Sequence, residues 1–207
     1  RWLVARLGVF VLGALLVAAA LGQVMTWWFT PIENLRIPAG SLFGRLDPNV
    51  FDFRGIVPVA YTLFAFAVGV AAGTFIKRTV PAIAVTLAAY VPVKIATQEL
   101  RGHYFAPLTR TYPFDEVSPG AAGGDWTIEQ VVVDRTGSAV DLSRVPDVCA
   151  DQAAADSCLA AQGYRFVETY QPADRFWPLQ FIESGIFIGL SAILLGVAAW
   201  WIIRRVA

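Results

Sequence analysis

The chain has 207 residues, 57% of them hydrophobic and only 15% charged, and its net charge is zero. Soluble domains run nearer half apolar and a quarter charged, so this composition argues against a water-soluble domain and for the membrane class. No nucleic-acid partner is expected. The chain opens on Arg1 without a signal-peptide pattern, and the expectation is an internal start within a longer protein.

Crossing roughly 30 Å of hydrocarbon takes about 20 helical residues, and four stretches meet that need. The first runs from about 7 to 29 and is uncharged, with Gln23 and Thr26 its strongly polar members. The second, 55–76, is also uncharged. The third, 79–95, contains Pro81 and Pro92 and reaches Lys94, whose long stem can extend to the headgroups. The fourth begins at Phe176 and carries one carboxylate, Glu183. The expected fold is an all-α polytopic membrane protein of four transmembrane helices with a small mixed α/β domain outside. Its segments are 1–95 with three spans and a short outer loop at 30–54, the extracytoplasmic domain 96–175, and 176–207 with the fourth span and a short tail.

Orientation follows from basic residues near the span ends. With the N-terminus inside, Arg1, Arg6, Lys77, Arg78, Arg204 and Arg205 all face the cytoplasm, unaccompanied by any acid. The opposite face then holds 96–175, with twelve acids against six arginines. Trp27, Trp28 and Trp177 fall at the outer boundary, Trp200 and Trp201 at the inner one. The expected location is the plasma membrane, multi-pass, with both termini cytoplasmic.

Within the outer loop, Leu42, Phe43, Leu46, Val50, Phe51 and Phe53 allow a short amphipathic helix in the interface, with Asp47-Pro48 as its start. An irregular loop packed on the bundle fits equally well. In the outer domain, Trp126–Val133, the turn Asp134–Gly137 and 138–142 read as two strands. Residues 151–162 read as a short helix capped by Asp151 and stopped by Gly163, and 164–170 as a further strand. The stretch 118–124 reads as a flexible connection.

Cys149 and Cys158 would lie about 13 Å apart on one straight helix, too far to bond. A disulfide needs Cys149 to precede the helix and fold back; two free thiols remain the alternative. The Gly-x-x-x-x-Gly-Lys-Ser/Thr motif is absent, so any ATP must be used by a partner. A serine-hydrolase elbow is absent too, which leaves Ser184 and Ser191 as helix-packing residues. His103, Cys149 and Cys158 do not match zinc spacings, and His103 reads as an interfacial aromatic. Gly69/Gly73 and Gly185/Gly189 carry the spacing that lets helices meet closely in lipid. Glu183, Lys94 and Gln23 are candidates for the substrate path or for helix packing, because polar groups at membrane depth are costly. For Glu183 the competing reading is a hydrated carboxylate, or one paired with Lys94.

The stretch Phe51-Asp-Phe-Arg-Gly-Ile-Val-Pro-Val-Ala-Tyr through Gly73 resembles permease subunits of type-2 ABC transporters of the actinobacterial type. So do Lys77-Arg-Thr-Val-Pro-Ala82, Arg101-Gly-His-Tyr104 and Tyr170-Gln-Pro-Ala-Asp-Arg-Phe-Trp177, and the opening Arg1-Trp-Leu is similar to the start of their third span. The resemblance implies six spans, of which this chain holds the last four, and a cytoplasmic coupling segment that lies outside it. It also implies a second permease copy, an ATP-binding cassette subunit that carries ATP and Mg, no cofactor in this chain, and export of drugs, antibiotics or lipids. The expected function is the non-enzymatic permease of an ATP-driven exporter working by alternating access. The alternative is a membrane-anchored protein whose acidic outer domain binds a ligand or protein. A membrane enzyme using Glu183 or the outer carboxylates ranks last, for want of a paired acid–base motif.

Overall fold

A computed structural model describes residues 2–33, 44–120, 124–141, 149 and 155–206. Residues 34–43, with Leu42 and Phe43, 121–123, 142 and 151–154, with Asp151, therefore lie outside the described residues. The elements in chain order are helices α1 (Trp2–Glu33), α2 (Pro48–Phe51), α3 (Val57–Ile76) and α4 (Thr79–Arg101), then strands β1 (Leu108–Pro113) and β2 (Trp126–Val133). Helix α5 (Ala155–Ala161), strand β3 (Arg165–Gln171), a 3-10 turn (Ala173–Arg175) and helix α6 (Phe176–Val206) follow. The chain divides into two compact units: Arg1–Thr30, Pro48–Arg101 and Phe176–Ala207 form one, Pro31–Asp47 and Gly102–Arg175 the other.

The first unit is helical. Gly8–Pro31, Val57–Ile76, Thr79–Arg101 and Ala173–Arg204 are each long and apolar enough to cross a bilayer. Helix α3 packs on α6 and on α4. The seam is aromatic: the Phe187 ring lies edge-on to Tyr61 and Phe64, at 4.7 and 5.2 Å between centroids. Large side chains such as Phe10, Leu16, Val80 and Ile193 point outward, as lipid-facing residues do.

Helix α4 continues through Arg101, six residues past the boundary at 95 that the charge of Lys94 suggests. Both cations find carboxylates inside the bundle, as described below, so neither forces the helix to end. Pro92 sits within α4 and withholds the N–H that the Ala88 carbonyl would otherwise receive. Helix α3 ends on Lys77, whose φ of 54° is left-handed and whose N–H caps the Gly73 carbonyl.

The glycine spacings do not mark the close approaches. A Cβ on Gly73, Gly185 or Gly189 would meet nothing within 4 Å, and one on Gly69 only the Thr86 Oγ1 at 3.8 Å. The helices meet through aromatic rings there, and among the described residues no Gly-x-x-x-Gly contact is formed. Within the helical unit Gly22 and Gly55 are the tight positions instead. A Cβ on Gly22 would lie 3.3 Å from the Gly55 carbonyl, and Gly55 combines a φ of +66° with Gln180 Oε1 only 2.7 Å from a would-be Cβ. Gly55→Ala is therefore expected to lower stability in detergent by roughly 1–3 kcal/mol, whereas Gly185→Ala, in open space, should change it little or raise it. Thermal unfolding of the two variants side by side checks this.

The loop before α3 differs from an interfacial amphipathic helix. Among its described residues only Pro48–Phe51 are helical, and Val50 and Phe51 are buried rather than turned to lipid. Phe51 stacks edge-on against Phe176, with centroids 5.6 Å apart. Among the described members of this set, Leu46, Val50, Phe51 and Phe53, only Phe53 stays exposed; Leu42 and Phe43 lie outside the described residues.

The second unit is a three-stranded antiparallel sheet in the order β1-β3-β2. Strand β2 occupies the expected residues, and β3 lies one residue beyond its expected bounds. After the Asp134–Gly137 turn, the return strand is reduced to one bridge, Val133 to Ala139. Asp134 organises that turn by accepting from the Thr136 and Ser138 amides, and the Thr136 and Ser138 hydrogen bonds hold its carboxyl below the usual aspartate range. Among the described residues helix α5 covers Ala155–Ala161 of the expected 151–162, and Gly163, two residues past its end, has a φ of +87°. Cys149 precedes α5 and is bonded to Cys158 within it, with Cα atoms 5.9 Å apart.

The polar heart of this unit is Glu168 on β3, 1% exposed. It accepts from Arg110 Nε at 2.7 Å, from Ser118 Oγ at 2.6 Å and from Thr127 Oγ1, while Arg110 Nη1 reaches Asp125 at 2.8 Å. Burial pushes the Glu168 carboxyl up, but the Arg110, Ser118 and Thr127 hydrogen bonds outweigh it and hold the group below the ordinary glutamate range. A carboxyl depressed on folding adds stability above its unfolded pKa, and that contribution disappears as pH falls through the folded value. Amide exchange on β3 is thus expected to quicken below roughly pH 4, the model-peptide glutamate range, and Glu168→Gln should flatten that dependence while weakening the sheet at neutral pH.

Candidate functional site

The residues with the most chemistry gather at one end of the helical unit. Asp52 comes from the turn after α2, Tyr61 from the second turn of α3, Lys94 and Arg101 from the last turns of α4, and Glu183 from the second turn of α6. Lys94 and Arg101 are seven residues apart, two helical turns, and so share one face of α4. Glu183 lies seven residues after Phe176, about 10 Å along the axis from the start of α6.

Arg101 is the hub. Its Nε and Nη2 reach the two Glu183 oxygens at 2.8 and 2.9 Å, a forked pairing, and Nη2 also reaches Asp52 Oδ1 at 2.5 Å. Lys94 Nζ closes on the other Asp52 oxygen at 2.6 Å and lies 4.8 Å from the centre of the Tyr61 ring. The Tyr61 hydroxyl bridges the two acids, 3.0 Å from Asp52 Oδ1 and in close contact with Glu183 Oε1. The Phe51 ring covers the guanidinium at 4.0 Å. Arg101 and Glu183 have no exposed side-chain surface, while Asp52 and Lys94 keep 16% each.

Two positive and two negative groups make the cluster neutral, and that is what permits it at membrane depth. An isolated charge moved out of water costs several kcal/mol, and excellent geometry is needed to recover it. Forked arginine–carboxylate pairing is the geometry that recovers most. Two donors of the cluster, Arg101 Nη1 and Lys94 Nζ, are buried without a hydrogen-bond partner, and Lys94 meets Asp52 as an ion pair. The arrangement contains no nucleophile–base pair, and among the described residues no three potential metal ligands converge. Its chemistry is electrostatic: it ties three helices and a loop together through charges that are stable only while assembled.

Beside the cluster, Gln180 locks the entrance to α3. Its Oε1 accepts from the Ile56 and Val57 amides at 3.0 Å each, and its Nε2 donates to the Phe51 and Arg54 carbonyls at 3.3 and 3.1 Å. Helix α3 has no side-chain cap of its own, and Gln180 takes that role from α6.

Of the candidate residues, Glu183 and Lys94 both enter the cluster, but on different partners: Glu183 pairs with Arg101 and Lys94 with Asp52. Gln23 stands apart on an exposed side of α1. Ser191 donates to the Phe187 carbonyl at 2.6 Å, and Ser184 is buried in the same helix. His103 is exposed. Sequence reasoning missed Asp52, Tyr61, Arg101 and Gln180. The available signal was the Lys94/Arg101 spacing, which places two cations on one helical face.

Residues 1–101 match the family model described as ABC-2 membrane transporter related. The match ends on Arg101, the last residue of α4 and the hub of the cluster. No curated protein and no solved structure matches the chain.

Proposed function

We propose that this chain supplies the membrane-spanning part of a permease in an ATP-driven type-2 ABC transporter. The observation that carries the reading is the match over residues 1–101, which spans three of the four bilayer-length helices. The chain is a membrane protein by those four helices. The transport step is alternating access between two packings of the spans, biased by nucleotide on a partner subunit that holds ATP and Mg. A second permease copy completes the pathway, and the direction is export.

The basic ends set the orientation: Lys77, Arg78 and Arg204 on the cytoplasmic side, the acidic sheet unit outside, and the Asp52–Tyr61–Lys94–Arg101–Glu183 cluster at the outer ends of α3, α4 and α6. A disulfide in the sheet unit suits an oxidising outer compartment. Clamped by the cluster, the outer ends of the three helices move as a block or release it altogether, which makes it the natural closure on that side. The anchored-binding-domain reading draws on the separate sheet unit and its open cleft of about 610 Å³ lined by Arg135, Arg165 and Thr111.

Purification of the full-length protein from its own membranes tests the choice. Recovery of a stoichiometric subunit with a Gly-x-x-x-x-Gly-Lys-Ser/Thr motif, and ATPase activity lost on its removal, is the expected result. A monodisperse preparation free of any such subunit overturns it. A cysteine placed at Thr136 should react with an impermeant maleimide on intact cells; labelling only after lysis reverses the orientation.

A further inference from the structure

We propose that the sheet unit is a clasp on the membrane helices: it joins the chain leaving α4 to the chain entering α6, so that these two helix ends travel together and do not part. Strand register is the first observation. Strand β1 is the first element after α4 and β3 the last strand before α6, and they pair antiparallel with Leu108 opposite Tyr170. The start of one strand therefore lies against the end of the other, which sets the connectors 102–107 and 172–175 side by side.

Side chains then tie the connectors together within the sheet unit. Gln171, the last residue of β3, is fully buried and donates from Nε2 to the Gly102 and Phe105 carbonyls at 2.9 and 2.8 Å. Its Oε1 accepts from Arg175 Nη1 at 2.6 Å, and the same nitrogen donates to the Ala106 carbonyl at 2.7 Å. The Arg175 guanidinium also lies 5.6 Å from the centre of the Phe105 ring. Asp125 adds a tie of its own, accepting from the Ala173 amide at 3.0 Å and from Arg110 of β1 at 2.8 Å. Both N–H groups of the Gln171 amide are committed to one connector and its oxygen to the other. A buried amide stripped of such partners loses their bonds without regaining those of water.

Within the helical unit the same two passages are held by different chemistry. Arg101, the last residue of α4, forks onto Glu183 in the second turn of α6. The two sets of bonds share no residue: one is an ion pair, the other is built on a neutral amide and main-chain carbonyls. Parting the helix ends would break both sets and strain the β1–β3 ladder, whereas moving them as one body breaks neither. Gln180 already fastens the start of α3 to α6, so α3 belongs to the same body. Of the two ways in which the clamped ends could behave, movement as a block or release, the double tie selects the block. The working cycle invoked here rests on the permease reading; the clasp itself is a property of the fold.

Spin labels on cysteines placed at the exposed His103 and Asp174, one on each connector, measure their separation in the full-length protein. The chain's own two cysteines are bonded to each other and take no label. One narrow distance is expected, the same in the resting complex with its ATPase and in the complex trapped with ATP and vanadate. A second, longer distance in the trapped complex overturns the clasp and leaves the permease reading standing. Gln171→Leu should broaden the distribution, and Arg175→Met, which keeps the Gln171 bonds to 102 and 105, should broaden it less. Distributions as narrow as wild type in both variants also overturn the clasp, and this arm needs no ATPase. A preparation without any ATPase that still gives the narrow wild-type distance and the broadened variants would sink the permease reading alone.

Discussion

Arg101→Met is expected to be the most damaging single change in the helical unit, costing roughly 3–5 kcal/mol of stability. Methionine fills a similar apolar volume, so packing against Phe51 is largely kept and the loss isolates the charge. Removing the guanidinium leaves Asp52 and Glu183 facing each other with Lys94 as the one remaining cation, and Lys94 already engages Asp52. Glu183, with no exposed side-chain surface, cannot turn to water for solvation.

The same logic predicts rescue. In Arg101→Met/Glu183→Gln the hub and its principal counter-charge go together, leaving the Lys94–Asp52 pair balanced at 2.6 Å. Replacing both members of a buried pair is often nearly neutral, whereas replacing one exposes the full desolvation cost of the other. The double variant should therefore recover most of the loss, a coupling well beyond the few tenths of a kcal/mol expected of independent sites. Thermal unfolding of the wild type, the two singles and the double in one detergent measures it. Strict additivity, or a cost for Arg101→Met below about 1 kcal/mol, would mean that water rather than the protein solvates these groups.

The architecture was largely readable because the hydrophobic signal of a membrane span is local and one-dimensional. Fifteen to twenty apolar residues in a row identify a span whatever they pack against, and the 55–76 run agrees closely with α3. The cluster was half readable for the opposite reason. Glu183 stands out as a carboxylate in an apolar run, but its partner is 82 residues away, and two cations compete for the role. Lys94 was the nearer in apparent depth; Arg101 fell within the expected outer domain 96–175, whereas α4 continues through it. Asp52 gave no signal, because an aspartate in a loop is ordinary until the loop is known to tuck under a helix bundle. Strand β1 was missed on similar grounds. Its Leu108–Pro113 run holds an arginine and ends in proline, and it pairs with β3 across more than 50 intervening residues rather than through a hairpin.

Gln180→Leu is the second large effect, and its cause lies in the backbone rather than in charge. One buried amide serves four main-chain groups: the N–H of Ile56 and Val57 and the carbonyls of Phe51 and Arg54. Pro58 follows immediately, without an N–H, so the first turn of α3 has few donors and Gln180 accepts from two of them. Leucine has about the same bulk and none of the bonds. Buried backbone groups left unpaired cost roughly 1–3 kcal/mol each, so losing several at once should cost about 3–6 kcal/mol and release the 51–57 turn from α6. Because that turn carries Asp52, the cluster is expected to loosen with it. Exchange of the Ile56 and Val57 amides should quicken in Gln180→Leu, and Arg101→Met should cost less in that background than in the wild type. Wild-type protection of those two amides would show that another group caps α3, and that Gln180 sits in the bundle without holding it.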